Sequence, residues 1–218
     1  MTSSLSILLL SKTNDTCRAA QRFLRARTAN CVIVEGERTD APPDAMRSWS
    51  GDYLVSFLGP WVLPAGVLAA ASRAAINFHP GPPEYPGIGC YNFALYDEVA
   101  EYGVTCHEMA ARVDSGPIVR TARFPLRYDD SVASLRDRSL THMLALFEDV
   151  MDVLLAGGEL PHSEERWTRR PYTRRELDEL CRLLPDMSQR EIDRRVRATT
   201  FPGSQGPYFD PGAARTSA

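Results

Sequence analysis

The sequence has very little lysine and no excess of positive charge. Of its 25 basic residues one is lysine, Lys12, and the 28 acidic residues bring the formal net charge to −3. A surface that holds a nucleic acid generally carries a clustered positive excess. The composition therefore gives no support to a nucleic-acid-binding function.

Paired cysteines and long apolar runs are also missing. The five cysteines are odd in number, and none has C-x-x-C spacing. This pattern is typical of free thiols in a reducing compartment and predicts neither a disulfide framework nor a zinc site. The apolar run Leu5 to Leu10 is too short for a membrane span or a signal peptide and lacks a basic flank. We therefore expect a cytoplasmic protein that binds no metal and no membrane.

Glycine is absent from the first turn, where a nucleotide-binding fold would need it. Leu5 to Ser11 predicts a buried strand, and Asn14 can cap a helix that runs to about Arg27. The turn between them, residues 11–15, contains no glycine, whereas a dinucleotide or phosphate cradle needs glycines for close backbone approach. The start is Rossmann-like, but we expect it to hold neither NAD nor ATP.

The chain does have the composition and alternation of an α/β fold. It has 218 residues, 44% hydrophobic and 24% charged, which suits one compact domain with a sizeable core. Apolar runs predict further strands at 31–34, 53–58, 75–79, 103–109 and 118–126. Helical spacing predicts short helices at 65–72, 91–100, 173–183 and 188–197, and a long one at 131–156. The predicted fold is a Rossmann-like core with a mostly parallel sheet flanked by helices.

Three polar residues stand at the ends of predicted strands. Asn77 and His79 alternate with apolar residues, so that a buried strand presents both side chains on one face. A loop rich in proline and glycine follows at 80–89, and such a loop is stiff at its prolines and close-fitting at its glycines. A later strand then leads to Asp114 in the sequence Asp-Ser-Gly-Pro. Each residue alone has an ordinary structural explanation, and Asp before Ser-Gly-Pro is a common turn former.

Together these residue types suit the transfer of an acyl group between nitrogens. The amide of Asn77 can hydrogen-bond an oxygen that becomes negative, without changing its own protonation. The imidazole of His79 can take the proton that an attacking amine loses, or support the oxyanion when charged. A carboxylate nearby, Asp114, would orient the ring and favour its charged form.

The ordered set of motifs resembles the formyltransferases that use N10-formyltetrahydrofolate. The matching stretches are Ile76-Asn-Phe-His-Pro80, Tyr85-x-Gly87, Gly103-Val-Thr105 and Asp114-x-Gly-Pro117, and residues 52–64 are similar to the family's strand and pterin-contacting loop. The resemblance implies a catalytic triad of Asn77, His79 and Asp114 and N10-formyltetrahydrofolate as co-substrate, with no metal.

The resemblance also implies binding residues. In an open α/β sheet, ligands bind at the carboxyl ends of the strands, and an apolar turn there suits a flat heteroaromatic ring. For the folate we expect contacts from Phe57, Leu58, Gly59, Trp61, Leu63, Asp114 and Gly116. For the acceptor we expect contacts from Tyr85 and Gly87. We add Arg169 and Arg170 because the first turn has no glycine cradle and the planar guanidinium suits the phosphate oxygens of a nucleotide.

Within the family, the sequence is most similar to the sugar N-formyltransferases. Methionyl-tRNA formyltransferases add a basic C-terminal domain, whereas residues 158–218 hold 11 Arg against 10 Asp and Glu and make a poor RNA platform. Glycinamide ribonucleotide formyltransferases have a glycine-rich first turn. Sugar N-formyltransferases often carry Tyr-x-Gly-Ile-Gly after the histidine, as at 85–89 here, and a tail like Arg197 to Gly203. The expected acceptor is a nucleotide-linked amino sugar, and we expect a homodimer.

Two alternatives remain open at this point. The acceptor could be another small amine, such as glycinamide ribonucleotide, an amino acid or an antibiotic-pathway amine. The chain could also be a folate-binding protein without turnover.

The last part of the chain differs from the core. Gly157-Gly158 ends the long helix and divides a catalytic core at 1–157 from a C-terminal segment at 158–218 that docks on it. The clustered arginines of this segment predict either a solvated face or a site for phosphate or for a folate glutamate tail. Beyond residue 211 we expect disorder.

Overall fold

A six-stranded sheet organises the chain. A computed structural model describes residues 4–210. The strands are β1 (Ile7–Ser11), β2 (Cys31–Glu35), β3 (Gly51–Phe57), β4 (Ala71–His79), β5 (Glu101–Glu108) and β6 (Ile118–Pro125), in the order β2-β1-β3-β4-β5-β6. The first four pair in parallel, and β5 and β6 run antiparallel to their neighbours. The predicted α/β class with a mostly parallel sheet is confirmed.

Seven helices and a two-stranded ribbon complete the described part of the chain. The helices are α1 (Asp15–Arg25), α2 (Asp44–Ser48), α3 (Ala65–Leu68), α4 (Cys90–Tyr96), α5 (Val132–Leu155), α6 (Arg174–Cys181) and α7 (Gln189–Thr199). The ribbon pairs β7 (Arg182–Leu183) with β8 (Tyr208–Phe209). No helix between residues 4 and 210 has the length and apolarity to cross a membrane. The expected cytoplasmic location and homodimer stay predictions.

Local sequence signals set the ends of the longer helices. The side chain of Asn14 accepts a hydrogen bond from the amide of Cys17 at 2.9 Å and so caps α1 as predicted. Ser131 and Ser134 form a capping box at the start of α5. Gly157, with φ of +84°, follows the end of α5, where glycine can take a left-handed conformation without strain.

Some short elements differ from the prediction. Helix α2 is not among the helices that the sequence predicts. The predicted helix at 65–72 stops at Leu68 because β4 begins at Ala71. The predicted helix at 91–100 stops at Tyr96, and Glu98 just beyond it has φ of +54°, which a helix cannot accommodate. The ribbon strands are two residues long, too short for any periodic signal.

Aromatic rings at the centre of the core join the sheet to α5. The ring of Phe147 lies 5.1 Å from that of Phe57 and 5.2 Å from that of Phe78, in edge-to-face geometry. Phe23 of α1 packs on the same ring at 5.9 Å. Phe147 is fully buried. Its ring therefore packs α5 against β3 and β4 of the sheet and against α1.

The chain after α5 packs on the core. Residues 159–173, here called the strap, run without regular structure from the end of α5 to α6. Beyond α6, helix α7 contacts α4 and α5. The amide of Asn92 donates to the carbonyl of Ala198 at 2.7 Å, and the guanidinium of Arg197 donates to the carbonyl of Asp130 at 3.0 Å. The division at residue 157 into two units stays a prediction, and the disorder expected beyond residue 211 lies outside the described residues.

Replacing the central ring should destabilise the fold strongly. Phe147→Ala leaves a cavity among three other aromatic rings, and we expect it to lower the free energy of unfolding by about 3–5 kcal/mol. Urea unfolding followed by circular dichroism measures the change. Tyr128→Ala is the control, because Tyr128 is 92% exposed, and it should change the value by less than about 0.5 kcal/mol. Equal effects of the two substitutions would show that Phe147 is not central to the core.

Candidate active site

The carboxyl edge of the parallel strands gathers the polar residues of the site. Asn77 and His79 are at the end of β4, where Asn77 pairs with Ser56 of β3 on one side and with His107 of β5 on the other. The turn between β5 and β6 brings Asp114 to the same edge. The chain continues from β1 to β2 on one side and from β3 to β4 on the other, and such a switch point in the strand order is where ligands of open α/β sheets bind.

Asp114 lies between two histidines. One carboxylate oxygen is 3.3 Å from Nδ1 of His79, and the other is 3.3 Å from Nε2 of His107. All three side chains are buried. The structure thus brings His79 and Asp114 together as predicted, and it adds a second imidazole.

The other nitrogen of each imidazole faces a backbone carbonyl. Nε2 of His79 is 2.9 Å from the oxygen of Tyr85, and Nδ1 of His107 is 2.8 Å from the oxygen of Glu108. A carbonyl oxygen can only accept, so each of these nitrogens carries a proton and donates. The remaining nitrogen of each ring points at Asp114, and any second proton on either ring would lie against the carboxylate.

Asn77 is oriented by His107. Its amide nitrogen donates to Nε2 of His107 over 3.1 Å, which agrees with a neutral ring protonated on Nδ1. The second N–H of this amide remains available to a ligand. Asn77 lines the cavity described below, so this donor has access to it.

The carboxylate of Asp114 is held in its ionised form. Burial alone would raise the pKa of Asp114, but the charge of His79, the adjacent ring of His107 and the hydrogen bond from the amide of Gly87 outweigh it and hold the pKa well below its usual range. Gly87 N–H donates to this carboxylate over 2.7 Å. The backbone of Asp114 has φ of +45°. Residues other than glycine rarely adopt this conformation, so the surrounding contacts must maintain it.

Gly87 can contribute its amide only because it has no side chain. Its φ is +87°, and a Cβ there would lie 2.5 Å from the carbonyl oxygen of Tyr172. Residues 80–89 are here called the proline loop. The strap approaches this loop closely at Gly87, whose amide binds Asp114.

A cavity of about 470 Å³ lies above these residues. One wall is apolar and consists of the turn after β3 together with α3 and the end of β5, and the floor carries Asn77, His79, His107 and Asp114. The apolar wall comprises Leu58, Pro60, Trp61, Val62, Leu63, Leu68 and Met109. This volume and this mixture of an apolar wall with a few convergent polar groups are typical of a site for a small molecule.

The cavity contains some of the predicted binding residues and not others. Those that line it are Leu58, Gly59, Trp61, Leu63, Gly87 and Asp114. Phe57 is fully buried in the aromatic core, and Tyr85 is buried and contributes its carbonyl to His79. Gly116 lies behind Asp114, where its Cβ would meet the carbonyl oxygen of Glu108 at 2.0 Å.

Arg169 and Arg170 lie away from this cavity. Both donate to the carboxylate of Glu176 at the start of α6, and the hydrogen bonds from Arg170 lower the pKa of Glu176 to about 2. Arg169 also stacks on the ring of Tyr172, 3.2 Å from its centre. Their predicted contact with an acceptor stays a prediction.

Sequence reasoning missed four residues that line the cavity. His107 belongs to this group because its pairing with Asn77 depends on a register that the sequence does not reveal. Lys12, Arg38 and Arg112 give the cavity three cations, against Asp114 as the sole carboxylate among its described lining residues. Lys12 and Arg38 follow the carboxyl ends of the parallel strands β1 and β2. Ligands of open α/β sheets bind at this edge, so the position of the two residues in the sequence is a signal for ligand binding.

Among residues 4–210, no group of three or more histidine, cysteine or acidic side chains is placed to hold a metal ion.

An open α/β sheet with an amide donor and an imidazole–carboxylate pair at its carboxyl edge defines a site suited to acyl-group transfer. A family model described as formyl transferase matches residues 21–150, more than half of the chain. The chain therefore belongs to the formyl transferase family.

Individual relatives agree with this family. A methionyl-tRNA formyltransferase from Acidithiobacillus ferrooxidans is 34% identical over 126 residues, which are 56% of this chain and 40% of that protein. The chain thus spans about two fifths of the length of the curated relatives it matches.

Solved structures share the fold at low identity. A sugar N-formyltransferase from Shewanella sp. FDAARGOS_354 superposes with a TM-score of 0.75 at 16% identity, over 95% of this chain and 94% of that one. An N-formyltransferase from Helicobacter canadensis, solved with folinic acid and dTDP-3-aminofucose, superposes with a TM-score of 0.74 at 14% identity, over 95% of this chain and 84% of that one.

The low pKa of Asp114 makes a prediction about stability and pH. A carboxyl whose pKa is lower in the folded state stabilises the fold above its ordinary pKa of about 4 and loses this contribution as pH falls. The difference in free energy of unfolding between wild type and Asp114→Asn should therefore be largest near pH 7 and shrink between about pH 5 and pH 2. Urea unfolding at a series of pH values measures it. The control is Asp129→Asn, at an exposed carboxylate, whose difference should stay nearly flat; a flat difference for Asp114→Asn would contradict the proposed role of the two imidazoles.

Proposed function

We propose that the protein transfers a formyl group from N10-formyltetrahydrofolate to the amino group of a nucleotide-linked amino sugar. The observation that carries this proposal is the cluster of Asn77, His79, Asp114 and His107 on the floor of a cavity with an apolar wall and three cations. Membership of the formyl transferase family supports the reaction type, and the fold shared with sugar N-formyltransferases supports the acceptor class.

The cavity suits the folate co-substrate. Its pterin and aryl rings are flat and apolar on their faces, and Trp61, Leu63 and Leu68 provide an apolar wall of matching character. Leu58 has φ of +60° and starts the turn that brings this wall over the polar floor. When bound, N10-formyltetrahydrofolate supplies the activated formyl group.

Asn77 has the position of an oxyanion donor. His107 fixes one of its amide N–H groups, so the other is held in a defined direction toward the cavity. A donor that is already oriented stabilises an oxygen that becomes negative when the formyl carbon is attacked, and it costs little reorganisation during the reaction.

His79 and Asp114 have the positions of a proton-handling pair. Nε2 of His79 is fixed as a donor to Tyr85, so Nδ1, which faces Asp114, is the nitrogen left to gain a proton. The buried carboxylate would stabilise the ring after that gain. The pair could thus accept the proton that the acceptor amine loses, directly or through water.

Three unpaired cations favour an anionic acceptor. Lys12, Arg38 and Arg112 form no ion pair with any described carboxylate. Lys12 lies beyond β1 and Arg38 beyond β2, on the side of the crevice away from the end of β5. A nucleotide diphosphate placed there would be held by these cations while its sugar reaches Asn77, since arginine grips phosphate oxygens in pairs and lysine supplies a point charge.

Methionyl-tRNA formylation is the second candidate, because the sequence relatives carry that name. The tRNA end is also an anionic acceptor, and it would use the same floor residues.

The direct test is transfer with a panel of acceptors. Purified protein and N10-formyltetrahydrofolate should give a product heavier by one formyl group, detected by mass spectrometry, with at least one nucleotide-linked 3-amino or 4-amino sugar. Methionyl-tRNA, glycinamide ribonucleotide and free amino acids complete the panel. Transfer to methionyl-tRNA alone would establish the second candidate, and no transfer to any member would contradict the proposed activity.

The matched inactive control for this assay is Asn77→Ala. Losing one oxyanion donor should lower kcat by about 10²–10³-fold while the protein remains folded. Asp114→Asn keeps the shape but removes the charge that supports His79, and it should also be severely impaired. A turnover close to wild type in either variant would remove that residue from the mechanism.

A second assay locates the acceptor's phosphates. Lys12→Ala and Arg38→Ala should each raise KM for the acceptor about 10- to 100-fold, the size of a charge-assisted hydrogen bond of about 1.5–3 kcal/mol. KM for the folate should change little. Arg169→Ala and Arg170→Ala test, with the same substitution, the expectation that these two arginines bind the acceptor's phosphates. If only the tail variants raise KM, the phosphates bind at the tail and the cavity cations have another role.

A further inference from the structure

Trp167 of the strap contacts the turn behind Asp114. Its indole N–H donates to the carbonyl of Gly116 over 2.8 Å. Its ring also packs edge-to-face with both imidazoles, with its centroid 5.9 Å from that of His79 and 5.1 Å from that of His107 and interplanar angles of 74° and 86°. No other described ring is in contact with both histidines.

The strap is fixed on both sides of Trp167. The amide of Ser163 donates to the carbonyl of Ile118 at the start of β6, and the amide of Thr168 donates to Pro83 of the proline loop at 3.2 Å. Tyr172 then exchanges two hydrogen bonds with the same loop, from its amide to Pro86 and from the amide of Ile88 to its carbonyl. The indole is therefore held at a defined position beside the site.

A short series of contacts connects the indole to the reactive groups. Gly116, which accepts from Trp167, lies directly against the carbonyl oxygen of Glu108, so close that a Cβ would be 2.0 Å away. The same carbonyl accepts the hydrogen bond from Nδ1 of His107. Gly116 is also two residues from Asp114, whose left-handed backbone needs support from its surroundings.

We propose that Trp167 is a positioning residue for the formyl transfer. Its N–H holds the turn that carries Asp114, and its ring packs against both imidazoles. Together these contacts keep the carboxylate of Asp114 within reach of His79 and His107. This inference rests on the proposed function for its effect on turnover, but the positioning itself is independent of the acceptor.

The charges around the cluster come from several elements. Among the described residues, Asp114 is the sole carboxylate in contact with the two imidazoles. Neighbouring elements contribute Glu108 from β5 and Lys12, Arg38 and Arg112 from the cavity lining. On the strap, Arg166 precedes Trp167 in the chain, and Arg169 donates to Glu176 away from the cluster. None of these changes in the substitutions below, so an altered pH response would report the arrangement of the cluster.

The test substitution is Trp167→Phe, which keeps an aromatic ring but removes the N–H. The matched control is Trp49→Phe, because Trp49 is also partly buried and its N–H has no hydrogen-bond partner among the described residues. Trp49 packs with the cluster of Leu8 and Leu54 on the other side of the sheet from α5.

The first readout is steady-state kinetics over a range of pH. Trp167→Phe should lower kcat on the order of tenfold, the scale of one net hydrogen bond, and should change the pH profile of kcat. KM for the folate should stay within about twofold of wild type, because the indole is outside the cavity. Trp49→Phe should match wild type in kcat, KM and pH profile.

The second readout does not need turnover. The chain has four histidines, so a long-range ¹H–¹⁵N spectrum of the imidazoles is simple, and His79→Gln and His107→Gln assign the two signals of the site. Trp167→Phe should shift the ring-nitrogen signals of His79 and His107 and leave His142 and His162 unchanged. Trp49→Phe should leave all four unchanged.

The outcomes separate this inference from the proposed function. Altered histidine signals in Trp167→Phe support the positioning role even if no acceptor in the panel is formylated. Unchanged signals, together with wild-type kcat and pH profile, would overturn it, even if the thermal midpoint falls. If Trp167→Phe does not fold, Trp167→Tyr replaces it, since tyrosine also lacks the indole N–H while keeping a ring beside both imidazoles.

Discussion

The arrangement of the site depends on one buried carboxylate held between two imidazoles. Asp114 could not be ionised at such a depth without the partners that lower its pKa, and each of the two imidazoles is fixed through its far nitrogen by a backbone carbonyl. These carbonyls belong to the proline loop and to the end of β5. The stiff loop, the antiparallel β5 and the left-handed turn can therefore be understood as supports for a single charge.

Most of the fold could be predicted because its signals are local. A few neighbouring residues determine each of these features: the buried strands, the caps at Asn14 and Ser131, and the glycine after α5. Asn77, His79 and Asp114 could be selected since each follows or ends an apolar run, and parallel strands bring such ends together. Short elements such as α2 and the ribbon lacked a period long enough to detect.

The rest depends on contacts between distant parts of the chain. His107 belongs to the site because β5 pairs with β4 in the register that sets it opposite Asn77, and no local pattern encodes that register. Arg169 and Arg170 looked free to bind phosphate, but Glu176, a helix-capping residue nearby, engages both. Lys12 looked like an isolated residue until the sheet placed the end of β1 beside the cavity.

The strap has a consequence for how the protein is made. Asp114 meets its partners His79 and His107 within the first 114 residues of the chain, but the loop amide at Gly87 packs against Tyr172, more than fifty residues later. During synthesis the triad residues would leave the ribosome well before the segment that closes over them. A nascent chain or a fragment that stops at the end of α5 would contain every motif of the family and still lack one side of its site, so counting motifs alone would overestimate its competence.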